Sequence, residues 1–208
     1  MNTLFVDSTN CVTDLCKIGG EVNTDKSPFA LNSACAQHRK GYTAIYNFIF
    51  SQYEYKNINF AELGIEAGAS LVMWNKFFKN CEKLYAFEYE DSRLEMCKAL
   101  NIPNIVYNKT DIRDKDILNK SFMDTGLLFD IIIDDTTHII EHQNVIIENV
   151  WQFIKPGGIL IIEDIYRNTD ISAFNIDTDK WSFYTFIVAH HNNRNCWDND
   201  KLLYLIRK

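Results

Sequence analysis

Two acidic pairs and one histidine carry the chemistry that is legible in this sequence. Asp134-Asp135 and Glu163-Asp164 each follow a short run of β-branched residues, and His138 stands three residues beyond the first pair. Carboxylates brought close together repel one another unless a cation lies between them. Hard oxygen ligands of this kind suit Mg2+, Mn2+ or Ca2+ rather than zinc. An imidazole with an unperturbed pKa of ~6.5 beside such a cation is suited to take a proton from a hydroxyl held there. One Asp after one strand would be an ordinary polar residue opening a loop. Acidic pairs after two adjacent strands, with a His close by, point to a site.

The elements that must bring these residues together are readable around them. The runs 129–133 and 159–162 look like strands buried on both faces. Between them Ile139, His142, Ile146, Val150 and Phe153 recur at steps of three and four, which is one face of a helix. Strand, helix and strand in this length form a crossover, so the two strands are expected to be parallel neighbours. Ligands bind at the carboxyl ends of such strands, where both acidic pairs stand.

The same alternation runs through most of the chain. Strands are expected at 60–65, 84–88 and 105–107, with helices at about 70–79, 92–100 and 114–122. The aromatic and β-branched run 181–190 and the run 202–206, joined by HNNRNCWDND, read as a hairpin. Residues 11–33 have loop composition, and a helix is expected over about 42–53 with Ala44, Ile45, Phe48 and Ile49 on its apolar side. The expected fold class is α/β, a Rossmann-like sheet of five parallel strands plus a C-terminal antiparallel hairpin, with helices on both faces. Residues 1–57 form an N-terminal cap segment packed on the domain 58–208, one structural domain in all.

Length and composition agree with a single globular domain. The 208 residues are 47% hydrophobic and 24% charged, with a net charge of −7. That balance offers no basic surplus to neutralise phosphates, so nucleic acid and anionic membranes are not expected partners. No apolar run has the length of a membrane span, and the N-terminus lacks the pattern of a secretory leader, which makes a cytoplasmic address the expectation. Six scattered cysteines suit a reducing compartment. Cys11, Cys16, Cys35 and His38 could be combined into a zinc site, but their spacing lacks the usual close pairs. A homo-oligomer is left open.

The turn after the first of these parallel strands carries the cofactor signal. Gly64 and Gly68 permit close backbone approach to a ligand, and the helix that starts near Ser70 offers free N–H groups. Glu88 ends the next strand about twenty residues on, where an acid accepts hydrogen bonds from ribose hydroxyls. Glu62 is a poor residue for the inside of a strand, which places it near the ligand. NAD would require G-x-G-x-x-G, yet Glu66 and Ala69 stand where glycines should be. S-adenosylmethionine carries no phosphate and tolerates a carboxylate in the turn. A methyltransferase is therefore favoured over a dehydrogenase.

At this point the residues carry a resemblance. NTDK at 23–26, GYTAIY at 41–46, ELGIEAGAS at 62–70, FDIIIDDTTH, EHQ at 141–143, KPGG and IEDI occur in one order. The chain resembles, from about residue 20 to 208, the metal-dependent, S-adenosylmethionine-dependent O-methyltransferases of macrolide sugars and their cephalosporin hydroxylase-like relatives. The resemblance implies Mg2+ or Mn2+ held by Asp135, Glu163 and Asp164, with His138 as catalytic base. It implies Glu62, Gly64, Gly68, Glu88 and Asp111 around S-adenosylmethionine, covered by Asp25, Lys26 and Tyr42; Ser70 and Asp134 are grouped with this cofactor set. The implied acceptor is a hydroxyl of a small-molecule or glycan substrate.

Two departures concern the acceptor. Asn23 replaces the family's usual Gly, and Thr136-Thr137 replace Gly-Ser before His138, stiffening that turn. Only about fifteen residues separate Tyr166 from the hairpin, so a substrate lid there would be short. Three alternatives remain: a nicotinamide-dependent oxidoreductase, a catechol-type O-methyltransferase, and a non-catalytic nucleoside-binding descendant of the fold. His142 is read as core packing, and His190-His191 are assigned nothing.

Overall fold

The structure, a computed structural model, describes residues 3–31, 40–189 and 198–208. Cys35, His38, His190 and His191 lie outside them. The alternation expected from residue 58 onward is present. Its strands are β2 (Phe60–Leu63), β3 (Leu84–Glu88), β4 (Ile105–Lys109), β5 (Phe129–Asp134) and β6 (Ile154–Ile165). The helices between them are α3 (Ala69–Phe77), α4 (Asp91–Ala99), α5 (Lys115–Met123) and α6 (Ile140–Val150). The hairpin is β7 (Trp181–Ala189) and β8 (Lys201–Arg207), and two helices, α1 (Asp14–Glu21) and α2 (Tyr42–Phe50), precede the alternation. A strand not expected from the sequence, β1 (Thr3–Asp7), pairs in parallel with β7.

The eight strands of the described residues lie in one sheet, ordered β1-β7-β8-β6-β5-β2-β3-β4. The chain lays down β2, β3 and β4 outward and then returns to place β5 against the other side of β2. The order therefore reverses between β2 and β5, and a crevice opens there at the carboxyl ends of the strands. β5 and β6 are parallel neighbours as expected, while β8 is antiparallel to both β6 and β7.

Strict alternation along the central strands divides the core. Phe60, Ile131, Ile133, Ile159 and Ile161 face a cluster with Leu15 of α1, Tyr46 and Phe50 of α2, and Trp74 of α3. Ala61, Leu63, Ile132, Leu160 and Ile162 face the opposite cluster, with Leu118 and Phe122 of α5 and Ile146, Ile147 and Val150 of α6. Residues 1–57 thus supply an edge strand as well as two helices covering the first face.

Several local expectations are corrected. α2 buries Tyr42, Ile45, Tyr46, Ile49 and Phe50, whereas Phe48 is 81% exposed. In α6 the buried stripe is Gln143, Ile146, Ile147 and Val150, and Ile139 is an exposed cap residue. His142 is half-buried and does not pack in the core; its Nδ1 lies 2.8 Å from Thr137 Oγ1. β6 begins at Ile154, ahead of the expected 159–162, so the KPGG segment lies within it, where Gly157 has φ +77° and the pairing with β5 shifts register.

Candidate active site

The glycine turn after β2 is built around close approach. Gly64 has φ +80°, and a Cβ there would stand 2.1 Å from the carbonyl oxygen of Asp135, so no side chain fits. Gly68, at φ +81°, caps α3. Two clefts flank this turn and both reach Asp135. One, of about 360 Å³, is lined by Gly64, Glu88, Asp111 and Thr137 among others. The other, of about 320 Å³, is lined by Asn23, Asp25, Lys26, Ser70 and neighbouring residues. Glu88 is buried; its Oε1 accepts the N–H groups of Tyr89 and Glu90, and its Oε2 that of Ile65. The carboxylate is thereby oriented and retains lone pairs for a ligand. Arg113 grips Asp111 through Nε and Nη2, both at 2.8 Å, and its hydrogen bonds hold that carboxyl below the usual range.

Beneath the second cleft lies a buried acidic cluster closed by a lysine. Glu62, Asp135 and Glu163 come from the ends of β2, β5 and β6, on the face that α1, α2 and α3 cover. Lys26 Nζ, on a side chain only 2% exposed, stands 2.5 Å from Asp135 Oδ2, 2.6 Å from Glu163 Oε2 and 3.8 Å from Glu62 Oε1. The cation that these acids require is thus supplied in part by the chain itself. Tyr46 donates its hydroxyl to Glu163 Oε1, and Ser70 and Trp74 donate to Glu62 at 2.7 and 3.2 Å. Burial pushes Glu62 up to about 7, against the pull of Lys26. Burial also raises Glu163 well above the ordinary carboxylate value. It acts in the same direction on Asp135, but Lys26 and His138 overcome it and hold that carboxyl low. Lys26 itself is raised: burial would lower it, and Asp135, Glu163 and Glu62 outweigh that effect.

Asp164 adopts φ +56°, a conformation rarely taken by a residue with a side chain. Its Oδ1 lies 2.8 Å from the Tyr42 hydroxyl, and its Oδ2 accepts from Asn199 Nδ2 at 3.1 Å, with Lys40 Nζ at 3.3 Å. His138, also left-handed at φ +57°, places Nε2 3.6 Å from Asp164 Oδ2 and 4.0 Å from Asp135 Oδ1. Asp135, His138 and Asp164 each offer a ligand atom within 4.8 Å of the others. Oxygen ligands at ~2.1 Å around Mg2+ stand ~3–4 Å apart, so these residues fit a divalent cation. Glu163 is not in that group, and Lys26 and Tyr46 engage its two oxygens.

The clefts therefore gather Gly64, Glu88 and Asp111 on one side and Asp25, Lys26 and Ser70 on the other. Glu62, Gly68, Tyr42 and Asp134 line neither. Glu62 is the floor under Lys26, Gly68 a helix cap, and Tyr42 a prop for Asp164. Asp134 points away from Glu62 and Lys26 because side chains alternate along β5; it is buried, which pushes its carboxyl up to about 6.

With this geometry in view, the comparisons with known proteins are informative. The chain is 30% identical over 132 residues to demethylmacrocin O-methyltransferase of Streptomyces fradiae, covering 60% of this chain and 32% of that protein. It is 27% identical over 133 residues to mycinamicin VI 2''-O-methyltransferase of Micromonospora griseorubida, covering 60% and 31%. The chain spans about a third of the length of these curated relatives. Among solved structures, the MycE methyltransferase in complex with Mg, SAH and mycinamycin VI superposes with a TM-score of 0.59 at 24% identity, over 73% of this chain and 37% of that one. The N-methyltransferase NodS from Bradyrhizobium japonicum, in complex with S-adenosyl-l-homocysteine, gives 0.55 at 18% identity over 83% and 87%. The fold is that of the class I methyltransferases. No family model matches the chain.

A methyltransferase fold places its ligand crevice at the β2–β5 reversal, where both clefts open. Residues that sequence reasoning did not select complete the surroundings of that crevice. Tyr46 had a signal, since it stands four residues after Tyr42 and so shares its helix face. Lys40 and Asn199 had none. Asn199 reaches Asp164 because β8 lies beside β6, which brings the residues before β8 to the end of the acidic strand, and Lys40, just before α2, places Nζ against Asp164 and Asn199 Oδ1.

Proposed function

We propose that this chain catalyses methyl transfer from S-adenosylmethionine to a hydroxyl of a sugar, on a glycosylated small molecule or glycan, with help from a divalent cation. The observation that carries the proposal is the convergence of Asp164 and His138 Nε2 on Asp135, the residue that lines both clefts beside the Gly64 turn. The naming of the relatives as O-methyltransferases, and of MycE as a complex with Mg, SAH and mycinamycin VI, supports the same chemistry. The free thiols of Cys11, Cys16, Cys81 and Cys97 suit a reducing compartment such as the cytoplasm.

The residues divide the work. Glu88 receives the ribose hydroxyls, and the bare backbone at Gly64 lets the cofactor lie against the strand ends. Lys26 and Asp25 close the second cleft over it. Asp135 and Asp164 would hold the cation, while Lys26 and Tyr46 keep the two oxygens of Glu163 engaged beside them. Mg2+ prefers oxygen ligands and keeps several waters, so the two carboxylates would suffice and would leave His138 Nε2 for the acceptor proton. When bound, the cation favours the ionised form of an acceptor hydroxyl. His138 Nε2 takes the proton. The remaining contribution is alignment of acceptor, methyl carbon and sulfur in one line.

Titration calorimetry with S-adenosylhomocysteine, with and without Mg2+, tests the cofactor, and labelled methyl transfer to nucleotide-sugars and glycosides tests the acceptor. Expected are binding of the cofactor product, turnover that EDTA abolishes, and a His138→Ala variant that keeps its metal while turnover falls ~10²–10⁴-fold. Micromolar NAD binding with no heat from S-adenosylhomocysteine would overturn the proposal.

A further inference from the structure

Among the described residues, two buried side-chain atoms have no hydrogen-bond partner: Asp134 Oδ2 and His138 Nδ1. They are complementary, one an acceptor and the other a ring nitrogen able to carry a proton. They are also four residues apart in the turn that links β5 to α6. Leaving a buried polar atom unpartnered is costly. Two such atoms of opposite character in one turn point to a shared partner.

The rest of each side chain is already held. Asp134 is 1% exposed, and its Oδ1 accepts the Thr136 hydroxyl at 2.6 Å and the Thr136 N–H at 3.2 Å. That grip leaves Oδ2 as the free corner of the carboxylate. The His138 backbone is in the left-handed region, and its Nε2 faces Asp164 and Asp135. The ring therefore presents Nδ1 to the protein and Nε2 to the site. The charge of His138 acts on the Asp134 carboxyl. The imidazole has a useful lone pair on Nε2 only if the proton of the neutral ring sits on Nδ1, and an acceptor facing Nδ1 selects that tautomer.

We propose that Asp134 is a positioning residue for His138: its Oδ2 holds the Nδ1 proton through one buried water that partners both atoms, and so keeps the Nε2 lone pair directed into the site. This deepens the methyl-transfer proposal, on which its catalytic consequence rests. Asp134 touches neither cleft and acts only through the imidazole.

The test reads the imidazole itself. Nitrogen-15 NMR of the full chain at about pH 8, where an unperturbed His is neutral, reports which ring nitrogen of each His carries the proton. Expected is an Nδ1-protonated His138 in the wild type, and a shift toward the Nε2-protonated form in Asp134→Asn. His142, whose Nδ1 meets the Thr137 hydroxyl, serves as an internal control and should stay unchanged. In turnover the same variant should lose ~10–10²-fold in kcat with little change in KM, the range for outer partners that orient a functional His. A wild-type His138 protonated on Nε2, or one whose tautomer Asp134→Asn does not move, would overturn the proposal. The wild-type spectrum decides even if the variant does not fold. It decides equally if no acceptor is methylated, so failure of this inference and failure of the methyl-transfer proposal are distinguishable.

Discussion

Lys26→Met removes the cation inside the acidic cluster while nearly conserving side-chain length. The wild-type ammonium and its partners Glu163 and Glu62 are at most 2% exposed, so water cannot take over its role. Breaking a buried ion pair by deleting one partner costs ~3–5 kcal/mol, against a total of ~5–15 kcal/mol for a domain. The acids have one escape, which is to bind protons. Burial already raises Glu62 and Glu163, and losing Lys26 raises both further. Protonation neutralises them as pH falls, so the penalty should be full at pH 8 and largely gone near pH 5. Urea unfolding followed by tryptophan fluorescence measures this, since Trp74 donates to Glu62 within the cluster. In EDTA at pH 8 the variant should lose ~3–5 kcal/mol. Saturating Mg2+ should restore more stability to the variant than it adds to the wild type, because the freed carboxylates gain a substitute cation. A loss below ~1 kcal/mol, or one independent of pH, would refute the assignment of Lys26 as the structural counter-ion.

Other perturbations test other parts of the site. Glu62 is raised in the fold to about 7 from 4.5, so its contribution is fully present below about pH 4.5 and is lost as pH rises through about 7. Over that window Glu62→Gln should gain ~3 kcal/mol relative to the wild type in denaturant midpoints converted to free energy, and parallel pH profiles would contradict the raised value. Glu88→Ala should weaken S-adenosylhomocysteine binding by ~1–3 kcal/mol in calorimetry; unchanged affinity would remove Glu88 from the cofactor cleft. Deleting residues 202–208 withdraws β8 from between β6 and β7 and should leave two unpaired strand edges in an aggregating chain. A soluble truncation with cooperative unfolding would show that the hairpin is dispensable.

Much of the site was legible because its signals are local. The apolar runs that become β5 and β6 are each followed by an acidic pair, and crossover geometry makes them neighbours without knowledge of the other strands. Glu88 and Gly64 were legible for the same reason, since the strand–turn–helix unit that places them is contained in under thirty residues. Errors arose where residues 11–33, of loop composition, fold in part into α1, and where one face was misjudged within a correct element. Phe48 and Ile139 fit an apolar helical stripe yet are exposed, because tertiary packing, not periodicity, decides which side of a short helix meets the sheet.

By itself the sequence determined the α/β alternation, the glycine turn, and the presence of acids and a histidine at strand ends, all consequences of residue spacing within single units. Only the tertiary structure decided what those acids meet. Lys26 is 109 residues from Asp135 and 137 from Glu163, and Asn199 is 35 beyond Asp164. Such contacts depend on the order of strands and on which segment closes over them, and no local pattern records either. β1 belongs to the same class, since a five-residue run ending in Asp becomes an edge strand only when β7 offers it a partner. A charge placed inside a protein is stabilised by neighbours in space, and only the fold brings those neighbours together.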